Sequence, residues 1–445
     1  MFRQQRLYNL LSGRRILLAG YGREGRSTHE VLGRLLPDVV PDIAHDDDEL
    51  TTALDGAQAA GRPYDLIIKS PGIPTMKLEG RCSLDSVTSQ TDLFMQVYGD
   101  LTIGITGTKG KSTTTSLICH VLAQSLGQEH DVVLAGNIGI PLFDIMGRID
   151  ERSIVVAELS CHQLENIHQA PHIGVILNLY QEHLDHYHNY RDYQMAKMQM
   201  MLKQRAGDHC FYCTDSDDLA RMVGELRLSA ASTLHPYSLQ EARQSSACNM
   251  PTSLLGDHNL CNIYVAQQVS NLKGVDDRQF AEALASFHGL QHRLERVGTY
   301  HDITFYNDSI STIPEATIAA VNTLQQVDTL ILGGYDRGID YGALYGHLCS
   351  PSGASIRNIV FVGDAGRRMH HELELHDHDP LNGKQTLLEN DYAKIVDWCF
   401  AHTQPGKICL LSPAAASYDS FKNFEERGNT FKELVINRHY EKMKS

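Results

Sequence analysis

The sequence predicts an α/β protein of three units, each a mostly parallel sheet flanked by helices. Three observations predict this. The segments "ILLAGYGREG", "LTIGITGTKGK" and "TLILGGYDRG" each pass from a short apolar run into a glycine-rich turn, with helical patterns between the runs. Such alternation of strand and helix favours parallel pairing. The length of 445 residues suits about three domains at ~150 residues each. The composition is that of an ordinary globular chain, 42% hydrophobic and 21% charged, with no low-complexity tract or repeat period.

The first unit, 1–97, opens on Ile16 to Ala19, then Gly20-x-Gly22-x-x-Gly25, then a helical pattern. This is the context of a Rossmann-like dinucleotide fingerprint, in which glycines let backbone approach a diphosphate. An acidic cluster, Asp46 to Asp48, stands where a ribose-binding acid is expected, and "DLIIKSPGIP" reads as a strand ending at Ser70-Pro71-Gly72. Taken alone, the fingerprint also fits a tight turn with no ligand.

The second unit, 98–296, carries "GITGTKGKSTTT" between a strand and an amphipathic helix, then the strand-like runs "DVVLAG", "SIVVAEL" and "IGVILNL". A strict phosphate loop has four residues between its first glycine and Gly-Lys. Counting back from Gly110-Lys111 reaches Ile105, so the strict motif is absent. The physics still fits. Gly107, Thr108, Lys109 and Gly110 precede a helix whose N–H groups favour an anion. Lys111 supplies a compact cation, and Ser112 or Thr113 a hydroxyl for magnesium. A central P-loop-type, ATP-binding domain is expected. Glu158, in "VVAELSCHQLE", and Glu182, His183 and Asp185, in "LYQEHLDHY", follow strands of the same sheet. Ligands of open α/β sheets bind at those strand ends, and carboxylates and imidazole are candidate metal ligands.

The third unit, 297–445, repeats strand-then-turn segments at "DITFYNDS", "TLILGGYDRG", "RNIVFVGDAG" and "KICLLSPAAAS", and is expected to be Rossmann-like.

Net charge of −15 excludes the broad basic face that binding to nucleic acid requires. No apolar run reaches the ~20 residues of a membrane span, and "MFRQQRLYNLLSGRR" lacks the features of a signal peptide. Ten cysteines form no framework. Cys210 and Cys213 lack the second pair a zinc site would need. Reduced thiols in a cytoplasmic protein are expected.

Together these residues resemble the ATP-dependent Mur ligases of peptidoglycan synthesis, over nearly the whole chain. The resemblance rests on Gly107-Thr108-Lys109-Gly110-Lys111-Ser112-Thr113 (family members commonly have Asn in place of Lys109), and on "GNIG", "ELSCHQLE", "EHLD", "GDHNLCN" and "HRLE". The C-terminal "LLSPAAASYDSFKNFEERGNTF" is similar to the signature of the family's glutamate-adding members. Folylpolyglutamate synthases share the central domain but not the first unit or this signature. A non-catalytic nucleotide-binding module is opposed by the retained Lys111, Glu158, His183 and Lys197. A dehydrogenase reading leaves the second loop unexplained.

The resemblance implies an acid–amino-acid ligase that adds D-glutamate to UDP-N-acetylmuramoyl-L-alanine through an acyl phosphate, using ATP and two magnesium ions. It implies a UDP-sugar domain over 1–97, an ATP domain over 98–296 and a glutamate domain over 297–445, with a monomer expected. Lys111, His183 and Lys197 are implied in catalysis, and Lys197 matches a lysine that the family carbamylates with CO2. Ser112, Thr113, Glu158, His183 and Lys197 are the implied metal set. Asn262, Arg293 and Asp308 are implied near the nucleotide, with His292 in the linker. The implied substrate contacts are Gly22, Arg23, Glu24, Gly25, Ser70, Asn137, Ser160, Gln163, Arg337, Ser417 and Phe424.

The pattern departs in "NDSISTIPEAT", where Ile310 and Ile313 replace the family's Lys and Asn, and in Arg337 for Lys. Isoleucine can make neither a charged nor a hydrogen-bonded contact, and Arg is not geometrically equivalent to Lys. "GREG" and "NDSIST" resemble the corresponding stretches of a subset of the family that uses L-glutamate. L-glutamate therefore stands as the alternative substrate.

Overall fold

The computed structural model describes residues 2–182, 186–254, 256–375, 381 and 383–444. The chain packs as two compact units, Met1–Phe287 and His288–Ser445.

The first unit holds two sheets. In the smaller, β1 (Ile16–Ala19), β2 (Asp42–Ala44), β3 (Leu66–Lys69) and β4 (Val87–Thr88) lie in the order β2-β1-β3-β4. All pairs are parallel. β1 and β3 are buried along their whole length, which is why they read as unbroken apolar runs rather than alternating ones. Asp46 caps the following helix, Asp47–Ala59, accepting from the backbone N–H groups of Asp48 and Glu49.

The larger sheet contains β5 (Thr102–Thr106), β6 (Val132–Gly136), β7 (Ile154–Glu158), β8 (Ile173–Ile176), β9 (His209–Cys213) and β10 (Thr233–Tyr237), in the order β10-β9-β8-β5-β7-β6. Every pair is parallel. The carboxyl ends of β5, β6, β7 and β8 therefore share one edge, and the order places β5 centrally. The helix Lys111–Leu126 buries Leu117, Ile118, Val121 and Leu122 against this sheet. Full burial of such side chains is worth ~1.5–3 kcal/mol each, so the helix start after β5 is fixed by its own core face. One continuous apolar core runs from Leu7, Ile16 and Leu18 at the smaller sheet to Val156, Val175 and Val269 around the larger.

The second unit has one sheet of β11 (Glu295–Tyr300), β12 (Ile303–Asn307), β13 (Val327–Gly333), β14 (Asn358–Val362), β15 (Gln385–Leu388) and β16 (Ile408–Leu411). The order is β11-β12-β16-β13-β14-β15, parallel except for the β11–β12 hairpin. Among the described residues, no helix is long and apolar enough to cross a membrane.

Candidate active site

The turn after β5 is built for close approach. Gly107 has φ of 151°, and a Cβ there would lie 2.9 Å from Leu177 Cβ. Gly110, at φ 85°, is the N-cap of helix Lys111–Leu126; a Cβ there would meet Asn262 Oδ1 at 3.1 Å. Only glycine fits this combination of left-handed backbone and crowding. Asn178, just past β8, clamps the turn. Its Oδ1 accepts from the N–H groups of Thr108 (3.1 Å) and Lys109 (2.8 Å), and its Nδ2 donates to Lys109 O at 3.0 Å. Thr108 Oγ1 sits 2.7 Å from Tyr193 OH and accepts from Tyr180 N at 2.9 Å. The loop is thus held open around the helix N-terminus, which favours an anion.

Lys111 Nζ donates to Gly107 O at 2.9 Å and Thr108 O at 2.8 Å, so the ammonium stays with the loop. Thr114 and Thr115 tie their hydroxyls back to Gly110 O and Lys111 O. Ser112 and Thr113, the two implied magnesium ligands, have no side-chain hydrogen bond among the described residues and sit on the first turn.

Glu158 ends β7 and is 1% exposed. Its Oε1 accepts from Asn137 Nδ2 at 2.6 Å, while Oε2 is buried with no hydrogen-bond partner. A buried carboxylate oxygen left unpaired is costly, and a bound cation would satisfy it. Lys197, on helix Tyr190–Leu202, is 1% exposed and donates to the same Gly107 O at 2.9 Å, with its Nζ 5.0 Å from the Tyr193 ring centroid. Burial lowers its pKa to about 8, and the Lys111 cation adds to the shift. Among the described residues, no group of three or more His, Cys, Asp or Glu could by itself hold a metal. Among the described residues, the groups that could hold magnesium are the Glu158 carboxylate and the Ser112 and Thr113 hydroxyls. His183 lies outside the described residues, as does Asp185.

The smaller sheet and its neighbour enclose a cavity of about 450 Å³, lined by Gly22, Arg23, Glu24, Ser70 and Asn137 among others. Five expected substrate residues are thus brought together. Gly25 lies beneath: a Cβ there would be 2.2 Å from Gly20 O, so this glycine serves helix–strand packing. Ser70 Oγ donates to Gly20 O at 2.8 Å and closes the turn. Ser160 and Gln163 form a capping box on the short helix Cys161–Leu164. Gln163 Nε2 also donates to Glu24 Oε1 at 2.6 Å. Burial raises the Glu24 pKa, opposed by that hydrogen bond.

In the second unit, Asp308 is 2% exposed, accepting from Leu294 N at 3.1 Å and Ser412 Oγ at 2.7 Å; burial raises its pKa against those bonds. Arg293 is exposed, and His292 has φ of 63°. Arg337 is exposed, with Nη2 donating to Thr312 O at 2.9 Å. Ser417 is buried, and Phe424 starts the helix Phe424–Lys444, its carbonyl accepting from Ser309 Oγ at 2.8 Å. Ile313 is exposed and Ile310 half-buried. Asn178 and Tyr193 were not expected. Asn178 could have been suspected because it follows a strand of the loop-bearing sheet; Tyr193 reads only as helix periodicity.

Residues 105–269 match the family model described as the Mur ligase middle domain. A UDP-N-acetylmuramoylalanine--D-glutamate ligase from Desulfitobacterium hafniense is 32% identical, covering 97% of this chain and 99% of its own. The enzyme of the same name from Oenococcus oeni is 30% identical over 96% and 97% of the two chains. Among solved structures, UDP-N-acetylmuramate-alanine ligase MurC from Thermotoga maritima aligns with TM-score 0.54 at 15% identity, covering 96% of this chain and all (100%) of its own. MurF ligase from Thermotoga maritima in complex with ADP aligns with TM-score 0.53 at 14% identity, over 95% of each chain. The fold of these proteins is the fold described above.

Proposed function

This chain belongs to the Mur ligase family, and on that premise we propose that it joins D-glutamate to UDP-N-acetylmuramoyl-L-alanine, converting ATP to ADP and phosphate. One observation carries the reading: the phosphate loop, the unpartnered carboxylate oxygen of Glu158 and the buried amine of Lys197 converge at one edge of one sheet. The D-glutamate named for the relatives supports that enantiomer over L-glutamate.

In this reading, residues 1–97 hold the nucleotide sugar, 98–296 hold ATP and 297–445 hold glutamate. The sugar's carboxylate attacks the γ-phosphate, giving an acyl phosphate and ADP. The amine of glutamate then attacks the acyl carbon, phosphate leaves, and the amine's surplus proton goes to solvent. Two anions must approach each other in the first step. Lys111 and the N–H groups of the loop offset that repulsion as fixed positive ends. Magnesium, when bound, neutralises phosphate charge and would be held by Ser112 or Thr113, Glu158, His183 and a carbamylated Lys197. An ammonium cannot ligate a cation; a carbamate can. Asn262, whose side chain lies beside Gly110, is assigned to the nucleotide. Arg337, Ser417 and Phe424 are assigned to glutamate, and Arg293 and Asp308 are assigned to the nucleotide. The protein acts as a monomer in the cytoplasm, where ATP is supplied.

The test is phosphate release with ATP, magnesium and UDP-N-acetylmuramoyl-L-alanine, offering each glutamate enantiomer in turn. Turnover with D-glutamate, abolished by Lys111→Ala, is expected. Turnover with neither enantiomer refutes the proposal, and turnover with L-glutamate alone refutes the enantiomer.

A further inference from the structure

Lys69 is among the largest fully buried side chains, and the chemistry above does not use it. It is the last residue of β3. Its Nζ donates to Ile73 O at 2.7 Å and to Glu165 Oε2 at 2.8 Å, with the two side chains 1% and 12% exposed. The first contact closes the four-residue turn Ser70, Pro71, Gly72 and Ile73, which forms one wall of the 450 Å³ cavity. The second reaches Glu165, which ends the short helix Cys161–Leu164 seven residues after Glu158.

That downstream segment is bonded to the smaller sheet's side at further points. Gln163 Nε2 donates to Glu24 Oε1 at 2.6 Å. Asn166 Nδ2 donates to Thr75 Oγ1 at 2.9 Å. His168 N and Nδ1 lie 2.6 and 2.8 Å from the Asp92 carboxylate. Lys69–Glu165 links the cavity wall to this segment by an ionic bond, and His186 Nε2 lies 3.8 Å from the same Glu165 oxygen. A buried ion pair does not stabilise more than an apolar pair of the same volume. Its use here is directional: an apolar pair would fill the space without holding the Ile73 carbonyl or fixing the turn's angle.

We infer that Lys69 is a positioning residue for the nucleotide-sugar pocket, joining the 70–73 wall to the segment that carries Glu158. The inference rests on the functional reading above. It makes the pocket wall and the segment beside the phosphate site a single mechanical piece, so that filling the pocket orders both.

The test compares wild type with Lys69→Met/Glu165→Gln, which removes both charges together and avoids stranding either one. Binding of UDP-N-acetylmuramoyl-L-alanine by calorimetry, without ATP, should weaken about tenfold or more, since small displacements at a binding wall have large effects. KM for that substrate should rise in step, while KM for ATP and glutamate stays within about twofold. Unchanged binding in the folded paired variant overturns the inference, as does a fall in kcat with every KM unchanged. A second arm needs no variant. Saturating nucleotide sugar should slow amide exchange in wild-type protein at both 70–73 and 159–166; protection confined to 70–73 overturns the inference. Wild-type protein that fails to bind the nucleotide sugar overturns the functional reading instead.

Discussion

Replacing Lys197 by alanine removes a fully buried amine that meets the phosphate loop at Gly107 O, the carbonyl that also accepts from Lys111. The structure supplies a magnitude for what that amine can do. Carbamylation consumes the neutral form. At the ordinary lysine value of 10.5, about 0.03% is neutral at pH 7; at the value of about 8 that burial imposes here, about a tenth is. The reactive population is therefore roughly 300-fold larger than on a solvated lysine. The sign follows from the direction of the shift. The neutral fraction rises with pH up to and beyond 8, so uptake of CO2 should be faster at pH 8 than at pH 6. The same shift means the charged amine destabilises the fold at neutral pH. Its folded value lies below its unfolded one, so stability rises as pH climbs from about 8 to 10.5, by an amount on the order of 3 kcal/mol. Removing the amine should not unfold the protein.

The assay is carbon NMR with labelled bicarbonate, alongside phosphate release. Wild type should show a labelled carbamate that Lys197→Ala lacks. The variant should fold, as seen by circular dichroism, retain under about 1% of turnover, and recover part of it with added short carboxylates. Wild-type turnover in Lys197→Ala, or the same labelled signal in both proteins, refutes the reasoning.

Three other outcomes follow from particular contacts. Glu158→Gln keeps an acceptor for Asn137 but loses the charge, so magnesium-dependent turnover should fall by about 100-fold or more with the melting temperature unchanged; titration of rate against magnesium checks it. Gly25→Ala places a Cβ 2.2 Å from Gly20 O, which should cost about 1–3 kcal/mol and lower the melting temperature by several degrees. A variant that melts with wild type would show that the turn yields freely. Burial would raise the Glu165 pKa, but His186, Lys69 and Thr75 outweigh it and hold the group at about 2 against an ordinary 4.5. A depressed carboxylate stabilises above its unfolded value and loses that effect as pH falls through its folded one. Wild-type stability should therefore fall more steeply between pH 4.5 and 2 than that of Lys69→Met/Glu165→Gln; parallel denaturation curves would contradict this.

What could be read from sequence divides by the range of the interaction. The phosphate loop was legible because strand, glycines and helix are contiguous and each obeys a local rule. Gly20, Gly22 and Gly25 were legible for the same reason; a Cβ would be crowded at Gly20 and Gly25, whereas Gly22 faces open space. Asp46 shows the limit of a local rule. Its position suits a ribose ligand, yet its carboxylate caps the next helix, because an acid before a helix start serves either purpose. Lys197 was legible only through family resemblance; nothing in "DYQMAKMQM" distinguishes a buried amine from a solvated one. The Asn178 clamp lies about seventy positions from the loop it holds, and Glu165 about a hundred from Lys69. No periodicity links such partners, since the pairing is made by the order of strands in the sheet. The same order explains why these distant residues serve one site. With β5 between β7 and β8, the loop after β5 is flanked by whatever follows those two strands. Glu158 ends one and Asn178 follows the other, so the parallel topology makes them neighbours of Gly107 before any side chain chooses a rotamer.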